Sequence, residues 1–188
     1  DNGHGQASPP EGTFVAVAAG GYHSCALRTD GTLACWGDNG HGQASPPEGT
    51  FVAVAAGGDH SCALRNDGTL ACWGSNSHGE STPPEGTFVA VAAGSSNSCA
   101  VRTDGTLACW GSNEYGKSTP PEGTFTAVAA GYEHTCALRS EGTLACWGYN
   151  GHGQSTPPEG TFIAVAAGYE HTCGIRAGDL RMRCWGIQ

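Results

Sequence analysis

One text of about 37 residues is written five times along this chain, and that repetition limits the possible fold more than any other property. The units run 1–37, 38–74, 75–111, 112–148 and 149–186, leaving Ile187 and Gln188. Residues 1–21 and 38–58 are identical. Each unit reads as a loop, PPEGTF, AVAAG, a variable step, then H/N-S/T-C, a D-G turn and a closing tryptophan and glycine. Periods of this length mark solenoids and propellers, in which each unit buries its faces against its neighbours.

Three strands are expected per unit. In the first unit they are Thr13–Ala19, Ser24–Arg28 and Thr32–Trp36, with Thr29, Asp30 and Gly31 as the hairpin loop between the last two. Glycine there supplies the positive φ that such a turn requires. Loop length fixes the register. Three loop residues pair Leu27 with Leu33 and Cys25 with Cys35, whereas a two-residue loop would pair Cys25 with Trp36. Directly opposed cysteines can form a bridge when their pair is not hydrogen-bonded. The expected disulfides are Cys25–Cys35, Cys62–Cys72, Cys99–Cys109, Cys136–Cys146 and, across a turn one residue longer, Cys173–Cys184. Such regular pairing points to an oxidising compartment outside the cell, against the alternative of reduced cytosolic thiols.

The hairpin shows Cys25, Leu27, Leu33 and Cys35 on one face and Ala26, Ala34 and Trp36 on the other. Both faces are apolar, so each sheet needs a cover on both sides. Five small sheets packed face to face form a propeller or a stack. Trp36, Trp73, Trp110, Trp147 and Trp185 are read as filling between sheets, in preference to a sugar-stacking platform.

The run AVAAGGYHSCALRTDGTLACWGDNGHGQ closely resembles the repeat of the regulator of chromosome condensation family, and is closer still to its secreted bacterial branch, which includes propeller-type β-lactamase inhibitor proteins. The resemblance covers the whole chain and implies a β-propeller; with the five repeats and the cysteine spacing, the expected fold is an all-β, five-unit β-propeller in one repeat domain, 1–188, each blade a small antiparallel sheet with its own disulfide. Seven blades are usual in that family. The family's nuclear exchange-factor role does not carry over to an acidic chain with a cysteine pair in every unit, and the inhibitor role depends on loop residues that have no match here.

Charge narrows the partners. With 8 Lys+Arg against 17 Asp+Glu, the net charge is −9, which repels phosphate backbones and anionic membranes. No apolar run is long enough to span a bilayer, and no signal peptide is visible. Met182 is the single methionine, so the chain reads as a processed product or an excerpt.

Function is sought where the units differ. One variable step follows AAG and contains Tyr22 and His23, Asp59 and His60, Ser96 and Asn97, then Tyr132, Glu133 and His134, and Tyr169, Glu170 and His171. The other is the loop after each tryptophan and glycine: 38–43, 75–80, 112–117 and 149–154. Variable loops on a constant frame commonly carry binding. The candidate binding residues are Tyr22, His23, Tyr132, His134, Tyr169 and His171, the ligand being a protein or a glycan.

Two repeated histidine positions are set against metal binding, because equivalent positions on successive blades stand too far apart to share an ion. Local backbone hydrogen bonding is expected of them instead, and Asx-type loops of Asn39, Asn76, Asn113 and Asn150. No cofactor and no catalytic set is expected.

The Ser/Thr-Pro-Pro steps Ser8-Pro9-Pro10, Ser45-Pro46-Pro47, Thr82-Pro83-Pro84, Thr119-Pro120-Pro121 and Thr156-Pro157-Pro158 are stiff strand entries and candidate glycosylation sites. If the DNGHGQ segment packs on the preceding blade, residues 1–8 could latch onto blade five of the same chain and close the ring, or onto a neighbour and build a filament. Arg181, Met182 and Arg183 replace Thr, Leu and Ala in unit five and mark a special seam. The expected function is therefore a non-catalytic secreted propeller with a structural or self-assembling role, in a filament or on a surface; the alternative is a protein- or glycan-binding or inhibitor module.

Overall fold

The computed structural model describes residues 2–187. Each unit folds into one three-stranded antiparallel sheet with its strands in chain order. Blade one holds β1 (Phe14–Ala19), β2 (His23–Arg28) and β3 (Leu33–Gly37). Blade two holds β4 (Phe51–Ala56), β5 (His60–Arg65) and β6 (Leu70–Gly74), and blade three β7 (Phe88–Ala93), β8 (Asn97–Arg102) and β9 (Leu107–Gly111). Blade four holds β10 (Phe125–Ala130), β11 (His134–Arg139) and β12 (Leu144–Gly148), and blade five β13 (Phe162–Ala167), β14 (His171–Arg176) and β15 (Met182–Gly186). Among the described residues the helical structure is one 3-10 turn, Glu114–Gly116, and no helix is long and apolar enough to cross a membrane.

The three-residue turn sets the predicted register. Cys25 opposes Cys35 and Leu27 opposes Leu33, while Gly31 takes φ 86 at the end of the loop. All five disulfides are present within blades, with Cα–Cα distances of 4.0–4.1 Å. That spacing belongs to the closer, non-hydrogen-bonded type of antiparallel pair. In unit five Leu180 takes the left-handed conformation, φ 57, in a turn one residue longer.

Blades join as the two apolar faces require. Leu27 of blade one packs on Phe51 and Ala63 of blade two, with Leu33, Val54, Ala71 and Trp73 around them. The same cluster recurs between blades two and three and between blades three and four. Phe51, Phe88, Phe125 and Phe162 are each 2% exposed. Burying such a ring is worth about 2–3 kcal/mol, so these seams are the principal apolar stabilisation of the molecule.

Every tryptophan also spends its N–H. Trp73 Nε1 donates to the Gln43 carbonyl at 2.9 Å, and Trp36 Nε1 to that of Gln6 at 2.8 Å. The loop that leaves one blade therefore ends on the next. This corrects the latch expectation: within residues 2–8, Gln6 packs on blade one of its own chain, because the Trp36 indole and the Ser24 hydroxyl both need its carbonyl.

Blades one to five pack consecutively, and no comparable packing joins blade five to blade one. The described residues form an open five-bladed arc. Val17 is 71% exposed where Val54, Val91, Val128 and Val165 are partly buried, and Met182 is 66% exposed.

Candidate functional site

The AVAAG strands run to a central hub. Each ends in a glycine because neighbouring blades come too close there for a side chain: a Cβ on Gly20 would lie 2.5 Å from the Gly57 carbonyl oxygen and 2.6 Å from the His23 ring. Across this approach the backbone bonds blade to blade, Gly21 N to Gly57 O, Gly58 N to Gly94 O, Ser95 N to Gly131 O and Tyr132 N to Gly168 O. The series stops at blade five, as the open arc requires. The hub borders an open cavity of about 700 Å³, lined by its alanines and glycines together with Tyr22, Asp59, Tyr132 and Tyr169.

Beside the hub, His23, His60 and His134 are buried. Their Nε2 atoms reach Ser61 at 2.8 Å, Ser98 at 2.8 Å and Thr172 at 2.7 Å on the following blade. Those hydroxyls in turn donate to the carbonyls of Gln43, Glu80 and Lys117's counterpart Gln154. The hydroxyl proton is thus spent, so each histidine donates from Nε2 and is neutral, with Nδ1 unpaired. Desolvation lowers the pKa of all three, to about 4 for His60 and His134. Hydrogen bonding was expected of these rings, but the partners are side-chain hydroxyls across a blade seam and not local backbone. The pairing has the outline of a nucleophile and its base, yet both members are sealed from solvent and the polarity runs the wrong way for serine activation.

Asn97 interrupts the series. It is fully buried, and both side-chain polar atoms lack a partner. Asparagine is too short to reach the Thr135 hydroxyl as histidine would. Asn97→His is expected to stabilise the protein by about 1–2 kcal/mol, by completing one bond and leaving one orphaned polar atom, Nδ1, in place of the two that asparagine leaves. Urea denaturation of the oxidised proteins at pH 7.5 measures this, and an unchanged or lower midpoint contradicts it.

The sequence-predicted tyrosines separate into two places. Tyr22 is 52% exposed on blade one, edge-on to His4 at 5.4 Å. Tyr132 and Tyr169 stack at 4.0 Å between blades four and five. The Tyr169 phenol is pushed up in pKa, first by its hydrogen bond to Tyr132, then by desolvation and by the neighbouring charges of Tyr132, Glu170 and Glu133. His23 and His134 lie inside, whereas His171 is exposed, with no further blade packed over it among the described residues.

Composition alone did not single out two further members of this group. Tyr115 and Tyr149 pack at 4.9 Å, and with Tyr132, Tyr169, Glu133 and Glu170 they line a cavity of about 220 Å³. Beneath it Lys117, 1% exposed, donates to Glu133 at 2.7 Å. Both lie in the loops 112–117 and 149–154 that comparison of the repeats marks as variable, Tyr115 standing where four units have histidine and Tyr149 where the others have Asp or Ser.

The Asx loops form as expected, though they reach farther than one turn. Asn39 Oδ1 accepts from the Ala44 N–H and its Nδ2 donates to Ser45 Oγ, and the other units repeat both bonds. Ser8, Ser45, Thr82, Thr119 and Thr156 are exposed while serving as these anchors. Among the described residues no group of three or more His, Cys, Asp or Glu side chains could hold a metal.

The model of the regulator of chromosome condensation (RCC1) repeat matches residues 14–43, 51–80, 88–117 and 125–154, more than half of the chain. The chain belongs to the RCC1 repeat family. No curated protein sequence matches it. Among solved structures, this RCC1-repeat arc is similar to the ectodomain of the receptor kinase CR4 from Physcomitrella patens, at TM-score 0.83 and 27% identity over 96% of this chain and 54% of that one. It is similar to the CRINKLY ectodomain of the Arabidopsis thaliana receptor kinase ACR4, at TM-score 0.76 and 28% identity over 93% and 64%. Prp20p of Saccharomyces cerevisiae shares the fold at TM-score 0.79 and 20% identity, over 92% and 58%. The chain thus spans 54–64% of these relatives' lengths.

Proposed function

We propose that this chain is a non-catalytic, extracellular RCC1-repeat module whose role is structural, joining blade to blade with further copies of itself. The carrying observation is that, among the described residues, the two faces left uncovered are the two halves of an interface used internally. Blade one presents Phe14, Val17 and Trp36, the counterparts of Phe51, Val54 and Trp73, which receive Leu27 and Leu33. Blade five presents Ile175 and Met182, the counterparts of Leu27 and Leu33. A head-to-tail contact through these faces is heterologous, so it propagates into a filament unless its rotation closes a ring. Five disulfides and the likeness to receptor ectodomains support an extracellular setting.

Sedimentation over a hundredfold range of concentration tests the proposal. The oxidised chain is expected to associate with rising concentration, and Val17→Asp or Met182→Asp, on opposite ends, should each return it to monomer. A monomer at every concentration overturns the reading.

A second reading has its own observation: the stacked Tyr132 and Tyr169, with Tyr115 and Tyr149 beside them, make a rim surface suited to a protein or glycan.

A further inference from the structure

Nearly identical repeats provide an internal reference, and against it the departures are not scattered. Tyr132 and Tyr169 replace Gly21, Gly58 and Ser95 of the earlier units, and Glu133 and Glu170 replace Tyr22, Asp59 and Ser96. Tyr115 replaces a histidine, Tyr149 an Asp or Ser, and Lys117 a Gln or Glu. These positions are separated along the chain, but the seam between blades four and five brings all of them to one place.

The loop is bent to do so. In other units the Gln or Glu side chain at the Lys117 position ties down the N–H of the loop histidine, as Gln43 does for His41 at 2.8 Å. Lys117 cannot accept that bond, having no acceptor atom, and turns to Glu133. Tyr115 then takes a left-handed backbone, φ 57 and ψ 13, which its four histidine counterparts do not adopt. Such a conformation costs a tyrosine about 1 kcal/mol, and an outlier of this kind is a pointer to function.

Ring faces and carboxylates together attract cations. Glu133 is already matched by Lys117. Glu170, 39% exposed, pairs with no lysine or arginine among the described residues and is approached by His152 Nε2 at 3.6 Å. The site therefore keeps one carboxylate beyond its own ammonium, in a molecule of net charge −9. A neutral sugar gains nothing from the carboxylate that Lys117 leaves unmatched, whereas a cation does.

We propose that Tyr115, Tyr132, Tyr149, Tyr169 and Glu170 form a site for an organic cation, the ammonium or guanidinium of a lysine or arginine side chain on a partner protein. The cavity of about 220 Å³ admits one such side chain, with its charge over the rings and against Glu170. The proposal rests on the rim-binding reading above, giving that rim its ligand chemistry.

The test uses the oxidised chain with ring-labelled tyrosine, titrated by NMR with N-acetyl-arginine methylamide, N-acetyl-lysine methylamide and, separately, neutral monosaccharides at matched ionic strength. Tyr22, which does not line this cavity, is the internal control. Saturable shifts of the four tyrosines with the cations, sparing Tyr22, are expected. Glu170→Gln should weaken them by about fivefold or more, and Tyr169→Ala should abolish them with the remaining spectrum unchanged. Shifts with monosaccharides alone overturn the cation proposal and leave the rim reading standing. Shifts with neither, or equal shifts at Tyr22, overturn both.

Discussion

Reduction of the five disulfides is expected to unfold the chain at room temperature. Each bridge closes a loop of about eleven residues, and chain entropy assigns such a loop about 2.5–3 kcal/mol. Five in one cooperative body exceed about 10 kcal/mol, comparable with the whole stability of an ordinary domain of about 5–15 kcal/mol. Alternative stabilisation is thin, because each sheet has three strands and, among the described residues, no blade covers the outer faces of blades one and five. Near-UV circular dichroism before and after a non-thiol reductant measures the effect. A signal that survives complete reduction, confirmed by mass after alkylation, contradicts the expectation. Removing one bridge, as in Cys99→Ala with Cys109→Ala, should cost about 2–3 kcal/mol and leave the fold intact.

Acid should weaken the blade seams before it touches the carboxylates. His60 and His134 titrate near 4 in the folded protein because burial opposes their charge, and His23 is lowered for the same reason. In the unfolded chain they titrate near 6.5, so between about pH 6.5 and 4 the unfolded state binds more protons. Stability is then complete above that window and falls as pH drops through it, by up to about 3 kcal/mol for each of the two histidines. The depressed carboxyls of Asp30, Asp67 and Asp104, bonded to Thr32, Thr69 and Thr106, have the opposite linkage. Their contribution is present above the ordinary aspartate value of 3.8 and is lost only below it. Urea midpoints of the oxidised protein at pH 7, 5.5 and 4.5 should fall steadily, and His60→Gln should flatten the fall. A flat profile in the wild-type protein would mean the rings are hydrated.

Much of this was legible along the chain. The hairpin loop length placed Cys25 opposite Cys35, and alternation along β2 and β3 named both apolar faces, because strand geometry is local and has a period of two. The first strand was less readable, since the irregularity between Phe14 and Ala16 breaks the alternation and leaves Val15 65% exposed. The histidines were the least readable. Their partners lie 38 residues ahead on another blade, a distance no local pattern encodes.

The repeat, its strands and its cysteine pairing thus follow from residues close in sequence, where turn length and side-chain alternation leave one register. Closure does not. Whether a fifth sheet meets the first depends on the rotation accumulated over four seams, a sum of small packing angles to which every Phe, Leu and Trp contributes. Only the tertiary structure decided that the arc stays open, with Val17 at one end and Met182 at the other. It also gathered Tyr115, Tyr132, Tyr149 and Tyr169 at one seam, because neighbouring blades bring loops a whole repeat apart into contact.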